Sequence, residues 1–343
     1  MGGSAAGNGG GLAGRGGTSG ASGAGARAFG APEKLIQDLE SPSRLVQDGS
    51  RIIVTVAGLG DAATGSILSV PKAGGDVEVL ADMRATPYGL AVFQSQVFWI
   101  ETGEQGAIYA LAPGEGPKVL IEGLQRPSML AADEARLYWG ELGGPGEMLE
   151  CGREYVLGWA DHDGSNRGGP FAGEFCSVRD LALLPARGEL VVADSIGYGL
   201  LATLNLSSGE LNGWLEAPAE DVAAVSSDEI VFTAPAARAV WRVGWGSTGS
   251  AVVEDLVAPY GIATHGEWVY FTERLSSSLN GTEQCLPTGS VKAVPLSGGE
   301  PVVIADGLLC PSRIEADDDA VYWIVNGEYG EANGSVMRAA ILR

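Results

Sequence analysis

Four carboxylates close a phrase that recurs along this chain. The segments "VFWIE", "LYWGE", "VVAD" and "VYFTE" end in Glu101, Glu141, Asp194 and Glu273. Carboxylates gathered at one end of a scaffold can hold a cation, a basic group or the hydroxyls of a sugar. Three arginines recur near the start of a companion phrase: Arg44 in "SPSRL", Arg179 in "CSVRD" and Arg313 in "CPSRI". The same carboxylates could therefore be internal, accepting hydrogen bonds from nearby backbone or pairing with an arginine. Both readings remain open at this level.

The cysteines offer a second chemistry. Cys151 and Cys176 are 25 positions apart, and so are Cys285 and Cys310. With no Cys-x-x-Cys spacing and only two histidines in the chain, the set does not fit a zinc site. Disulfides Cys151–Cys176 and Cys285–Cys310 are expected instead, and these imply an oxidising compartment. "DHDGSN" at Asp161 to Asn166 resembles the start of a calcium loop, but the required twelfth-position Glu is Ala172, so a turn is the expected role. His162 and His265 stand alone in turn-like contexts, with no nucleophile at meaningful spacing.

The elements that must position these residues come from a repeat. A strand, a Pro, an "L/I-A" strand and a "V-Y/F-W/F" strand recur in "EVLADMRATPYGLAVFQSQVFWIE", "KVLIEGLQRPSMLAADEARLYWGE", "VVEDLVAPYGIATHGEWVYFTE" and "VVIADGLLCPSRIEADDDAVYWIV". Three looser copies bring the number to seven, and each is followed by a further strand that usually opens on Gly, as in "GAIYALAP" and "GSVKAVP". A period of about 40 to 50 residues with four short strands per unit predicts a β-propeller. The last repeat stops after its third strand at "SVMRAAILR", while "EKLIQDLE" near the N-terminus is a fourth strand with no blade before it. The expected fold is all-β: a seven-bladed propeller of four-stranded antiparallel blades, its last blade closed by the N-terminal strand. In this fold the loops after second strands and those before first strands share one face, where the carboxylates, the arginines, the longest loops and both bridges fall.

Composition sets the outer limits. Residues 1–30 are Gly/Ala/Ser-rich and read as a tether, with 31–343 as the propeller domain. No apolar run reaches the ~18 to 20 residues of a membrane helix. Asp+Glu 43 against Lys+Arg 21 gives a net charge of -22, which argues against nucleic acid and anionic membrane as partners.

The phrases "VFWIE", "LYWGE" and "VYFTE", with "ADHDGSNR", resemble the YWTD repeats of lipoprotein-receptor propellers, whose acidic residue is largely structural and whose blades number six. "PYGIATHGEWVYFTE" is similar to repeats of the streptogramin (virginiamycin B) lyase family, which is seven-bladed and whose enzymes use a metal held by histidine and glutamate. Tether plus propeller is similar to exported bacterial lipoproteins, without the lipobox cysteine. The expected function is a non-catalytic binding or scaffold propeller outside the cytoplasm, recognising a protein, peptide or glycan on its loop-rich face. The alternative is a metal-assisted lyase or lactonase with its site at the channel mouth. No catalytic residue, cofactor or metal is assigned. A bacterial, extracytoplasmic monomer is expected, with room for lipid anchoring upstream.

Overall fold

The computed structural model describes residues 27–58, 63–102, 105–142, 155–195, 201–279, 282–328 and 330–342. Seven antiparallel sheets of four strands follow one another along the chain. We number them as blades 1 to 7, spanning 42–84, 87–124, 130–175, 178–215, 221–253, 259–308 and 311–342, the last with 33–39 added. Within each blade the strands pair in chain order, except that a small hairpin, Ser276–Leu279 with Thr282–Cys285, is inserted between the second and third strands of blade 6. The first strands of all seven blades line one central cavity.

The ring closes through its termini. Glu33–Leu39 pairs with Gly334–Leu342, with Glu33 opposite Arg338 and Leu39 opposite Gly334. Ala28 and Phe29 continue along the same strand, opposite Leu342 and Ile341. Leu35, Ile36 and Leu39 are buried with Leu45 and Ile52 of blade 1, so the clasp also seals the seam between the last and first blades. The Arg27 guanidinium lies 5.5 Å from the Trp268 ring of blade 6.

The core is not one mass but seven layers, one between each pair of neighbouring blades. Alternation along the second strands explains this: both faces of a blade are covered, so residues such as Val97 and Phe98 are buried in different layers. The recurrent Gly and Pro meet at these seams. A Cβ on Gly106, which opens a third strand, would come within 2.3 Å of the Pro127 ring that leads into the next blade. Gly65 meets Pro87, Gly289 meets Pro311 and Gly334 meets Pro42 in the same way. Second-strand threonines add polar stitches: Thr55, Thr233 and Thr272 donate to the Tyr88, Tyr260 and Ser312 carbonyls of the next blade at 3.1, 2.7 and 2.8 Å.

The fourth strands are exposed edges, and their backbone is shaped against edge pairing. Asp38, Met83, Gly123 and Gly307 hold the same penultimate place in their strands with φ between 55° and 75°, and a register shift accompanies each. Such bulges twist an edge away from a partner strand.

Candidate functional site

Each acidic residue at a second-strand end holds the linker that leads into its own blade. Glu101 accepts from the Ala85 N–H at 3.3 Å, Glu141 from Gln125 at 3.0 Å, and Glu273 from Val257 at 2.7 Å. Asp194 accepts from Cys176 and Ser177 at 2.7 and 3.0 Å. Cations complete the set: Arg84 lies 2.5 Å from Glu101, Arg167 is 3.8 Å from Glu141, and Lys292 pairs with Glu273. The tryptophan two positions earlier is on the same strand face, so Trp99 and Trp139 donate to Glu101 and Glu141 at 3.2 and 3.1 Å. In blade 7 the acid's place is taken by Val325, and the buried Trp323 Nε1 has no partner.

The arginines lie elsewhere, at the channel. Five first strands carry a register shift near their start, at Pro42/Arg44, Pro87/Leu90, Val178/Asp180, Pro259/Ile262 and Pro311/Ile314. Bulges re-aim side chains, and those just inside the shifts meet in the channel mouth. Aligned on the apolar residue that follows, the ring reads Arg44, Gly89, Met129, Asp180, Asp221, Gly261 and Arg313 from blade 1 to blade 7. The two arginines are neighbours, the two aspartates are neighbours, and the pairs face each other. Arg44 reaches Asp180 at 3.5 Å, and Arg313 reaches Asp180 at 3.7 Å while also pairing with Asp221. Both guanidiniums donate to the Arg179 carbonyl, at 3.2 and 3.3 Å. Ile262 N–H donates to the other Asp221 oxygen at 2.9 Å. The mouth is thus crossed by a lock of ion pairs spanning three blades or more.

Above the lock lies a second layer. Arg179 grips Glu220 with two guanidinium nitrogens, while its side chain remains 35% exposed. Tyr88 lies 5.3 Å from the Arg44 guanidinium, and Tyr260 lies between Arg274 at 3.5 Å and Arg313 at 5.7 Å. Burial pushes the Asp221 carboxyl upward and Asp180 adds to the rise, while Arg313 opposes it and favours the ionised form. Burial also works against the Arg313 charge, but Asp221 and Asp180 outweigh it and hold the guanidinium firmly cationic. Burial raises the Tyr88 phenol, yet Arg44, Arg313 and Arg179 together bring it below its usual value.

The structure therefore brings Arg44, Arg179 and Arg313 together and keeps Glu101, Glu141, Asp194 and Glu273 out of the channel ring, at the blade linkers. Sequence reasoning missed Asp180, Asp221, Glu220, Tyr88 and Tyr260. The signal was available: in every repeat the residue before the first-strand Leu, Ile or Val belongs to the channel ring. His265 bonds Asp318 at 3.0 Å at the opposite end of its strand. Asp161 is consumed by its own turn, accepting from Asn166 at 2.6 Å. Cys285–Cys310 is a disulfide, joining the inserted hairpin to the linker before blade 7. The Cys151–Cys176 expectation involves Cys151, outside the described residues, as are 143–154 of the long loop in blade 3.

Sheet count, strand order and terminal closure define the class: a seven-bladed β-propeller. Similar solved structures fit that class. One is a streptogramin B lyase, 12% identical, with 92% of this chain and 98% of that chain covered and a TM-score of 0.68. Another is a gluconolactonase from Xanthomonas campestris, 14% identical over 91% and 89% of the two chains, with a TM-score of 0.52. A third belongs to the nidogen/laminin complex, 18% identical over 69% and 88%, with a TM-score of 0.51. At such identities the likeness is one of fold. No family model and no curated protein matches the chain.

Proposed function

We propose that this chain is a non-catalytic binding or scaffold propeller that works outside the cytoplasm and recognises a protein, peptide or glycan on the face bearing the channel mouth. The carrying observation is that the charged groups of the mouth are already spent on one another: Arg44 and Arg313 on Asp180 and Asp221, Arg179 on Glu220. What they form is a rigid platform, on which half-exposed Arg179, Arg274, Tyr88 and Tyr260 are available to a partner. Aromatic and arginine side chains held by packing suit recognition. The Cys285–Cys310 bridge supports an oxidising compartment. Among the described residues no helix is long and apolar enough to cross a membrane.

The second reading, a metal-assisted lyase or lactonase, draws on the likeness to streptogramin B lyase and gluconolactonase. The donor set does not fit a metal at the mouth. Asp180 and Asp221 face guanidiniums, and Glu273 is shared among Lys292, Ser290 and the Val257 amide.

Peptide and glycan arrays probed with the wild type and an Arg179→Ala/Arg274→Ala double variant test the binding reading. Wild-type binding that the double variant loses supports it; binding unchanged by the substitutions removes the mouth from the site. Stoichiometric divalent metal in the purified protein, lost in Glu101→Ala, Glu141→Ala and Glu273→Ala, would overturn it in favour of the enzyme.

A further inference from the structure

Beneath the lock, the channel widens into a cavity of about 380 Å³. Val46, Ala91, Ala131, Ala223 and Ala263 from five blades line it together with the lock residues Arg44, Asp180, Asp221 and Arg313. At the corresponding place blade 7 contributes Glu315. One of its oxygens accepts from Gln47 Nε2 at 3.1 Å, and that amide also donates to the Ala316 carbonyl at 3.0 Å. Among the described residues no cation pairs with Glu315. Lys72 is committed to Asp317 at 2.9 Å, and Arg44 and Arg313 are committed to the lock. Of the charges acting on Glu315, Lys72 favours its ionised form from its place on Asp317, and Asp221 opposes it. Beside the mutually paired lock residues, the cavity thus holds a carboxylate that has no ion-pair partner among the described residues, next to a patch of alanines.

We infer that this chamber binds a small organic cation, an amine with a compact apolar body, whose ammonium group pairs with Glu315 while its hydrocarbon lies against the alanines. The volume is within the range of small-molecule sites, about 300 Å³ upward. One carboxylate among alanines lacks the six or more oxygens that calcium takes. An anion would meet Glu315 with both nearby guanidiniums already occupied. At the end away from the lock, the turns joining first to second strands carry Asp133, Glu134, Asp228, Glu267 and the run Asp317 to Asp319, with Arg187 on Asp228, Lys72 on Asp317 and His265 on Asp318. The acidic excess there favours cations as visitors. This site is independent of the platform at the mouth, and either can fail alone.

The test uses three probes of one shape: cyclohexylammonium, cyclohexanol and cyclohexanecarboxylate, titrated calorimetrically into the full chain at pH 8. Wild type, Glu315→Gln and Ala223→Leu are compared, with circular dichroism confirming the folded state. The amine is expected to bind wild type one to one, and the alcohol and the acid at least about tenfold more weakly, a gap of about 1.4 kcal/mol. Glu315→Gln should lose at least about tenfold in amine affinity, and Ala223→Leu, which fills the chamber without touching the charge, should lose binding as well. Equal amine affinity in Glu315→Gln, alcohol binding as tight as the amine, or no amine binding to wild type overturns the inference. Each substitution decides alone if the other fails to fold.

Discussion

Replacing Glu315 with Gln should stabilise the protein, and only at neutral pH and above. Burial pushes Glu315 from 4.5 to about 7, with Gln47 opposing and Asp221 adding to the rise. The folded state therefore keeps a proton that the unfolded chain has released between pH 4.5 and about 7. Its contribution to stability is complete below the unfolded value and is lost as pH rises through the folded one. At about 1.36 kcal/mol per pKa unit, ionising Glu315 in the fold costs about 3 kcal/mol at most. Contact with water in the channel reduces this to about 1–3 kcal/mol. Gln has nearly the same shape, can still accept from Gln47 through its amide oxygen, and carries no charge. For a chain of this length ~1 kcal/mol corresponds to about 1.5 °C of melting temperature. Thermal unfolding of both proteins at pH 5 and pH 8 should show near-equal midpoints at pH 5 and a variant about 2–4 °C higher at pH 8. A variant no more stable at pH 8, or one whose advantage is the same at both values, would refute the claim that this carboxylate lacks a counterion.

Three further outcomes test the frame. Arg313→Met should cost about 3–5 kcal/mol in urea unfolding, because it leaves the buried Asp221 carboxylate without its guanidinium while Asp180 keeps only Arg44, and pairing it with Asp221→Asn should recover part of that loss. Reducing Cys285–Cys310, which closes a separation of 25 residues, should lower stability by about 3 kcal/mol; thiol counting on the unfolded, unreduced protein should find no free thiol, and four would refute both expected bridges. Gly106→Ala should lose about 1–3 kcal/mol by overpacking, since its Cβ would press on Pro127, whereas Gly116→Ala, with nothing within 4 Å of the added carbon, should stay within about 0.5 kcal/mol of wild type.

The repeat made most of the fold legible. Second strands such as "VFWIE" and "VYWIV" are apolar on both faces because each blade is covered on both sides, and that pattern survives loop variation. The missing fourth strand at "SVMRAAILR" and the surplus one at "EKLIQDLE" implied their own pairing. The site was less legible because repeat alignment favours what recurs. Glu101, Glu141, Asp194 and Glu273 recur because each blade needs its linker held, and that makes them conspicuous without making them a site. The channel ring depends on what does not recur: one column reads Arg, Gly, Met, Asp, Asp, Gly, Arg, and its chemistry exists only when seven blades meet.

That contrast explains why the lock and the chamber have opposite characters. Gly89 and Gly261 lie between the arginines and the aspartates on either side of the ring. A side chain at either place would collide with the next blade, at 2.3 Å from the Ser128 carbonyl and 2.1 Å from the Ser312 carbonyl. The glycines let neighbouring blades approach at these two places, while Arg44 and Arg313 cross to blades 4 and 5. Charges buried in such a network are satisfied and hold the blades in place. Two residues further along each strand the same ring is apolar in six blades and acidic in one, and no arginine reaches Glu315. A charge in such a wall is tolerated when it is answered, and among the described residues Glu315 has no ion-pair partner, since Lys72 is committed to Asp317. The stability lost by ionising Glu315 is therefore free energy that a bound ammonium group can recover, so cyclohexylammonium should raise the wild-type melting temperature more at pH 8 than at pH 5. A rise of equal size in Glu315→Gln would detach the ligand from the charge and leave the chamber without a role.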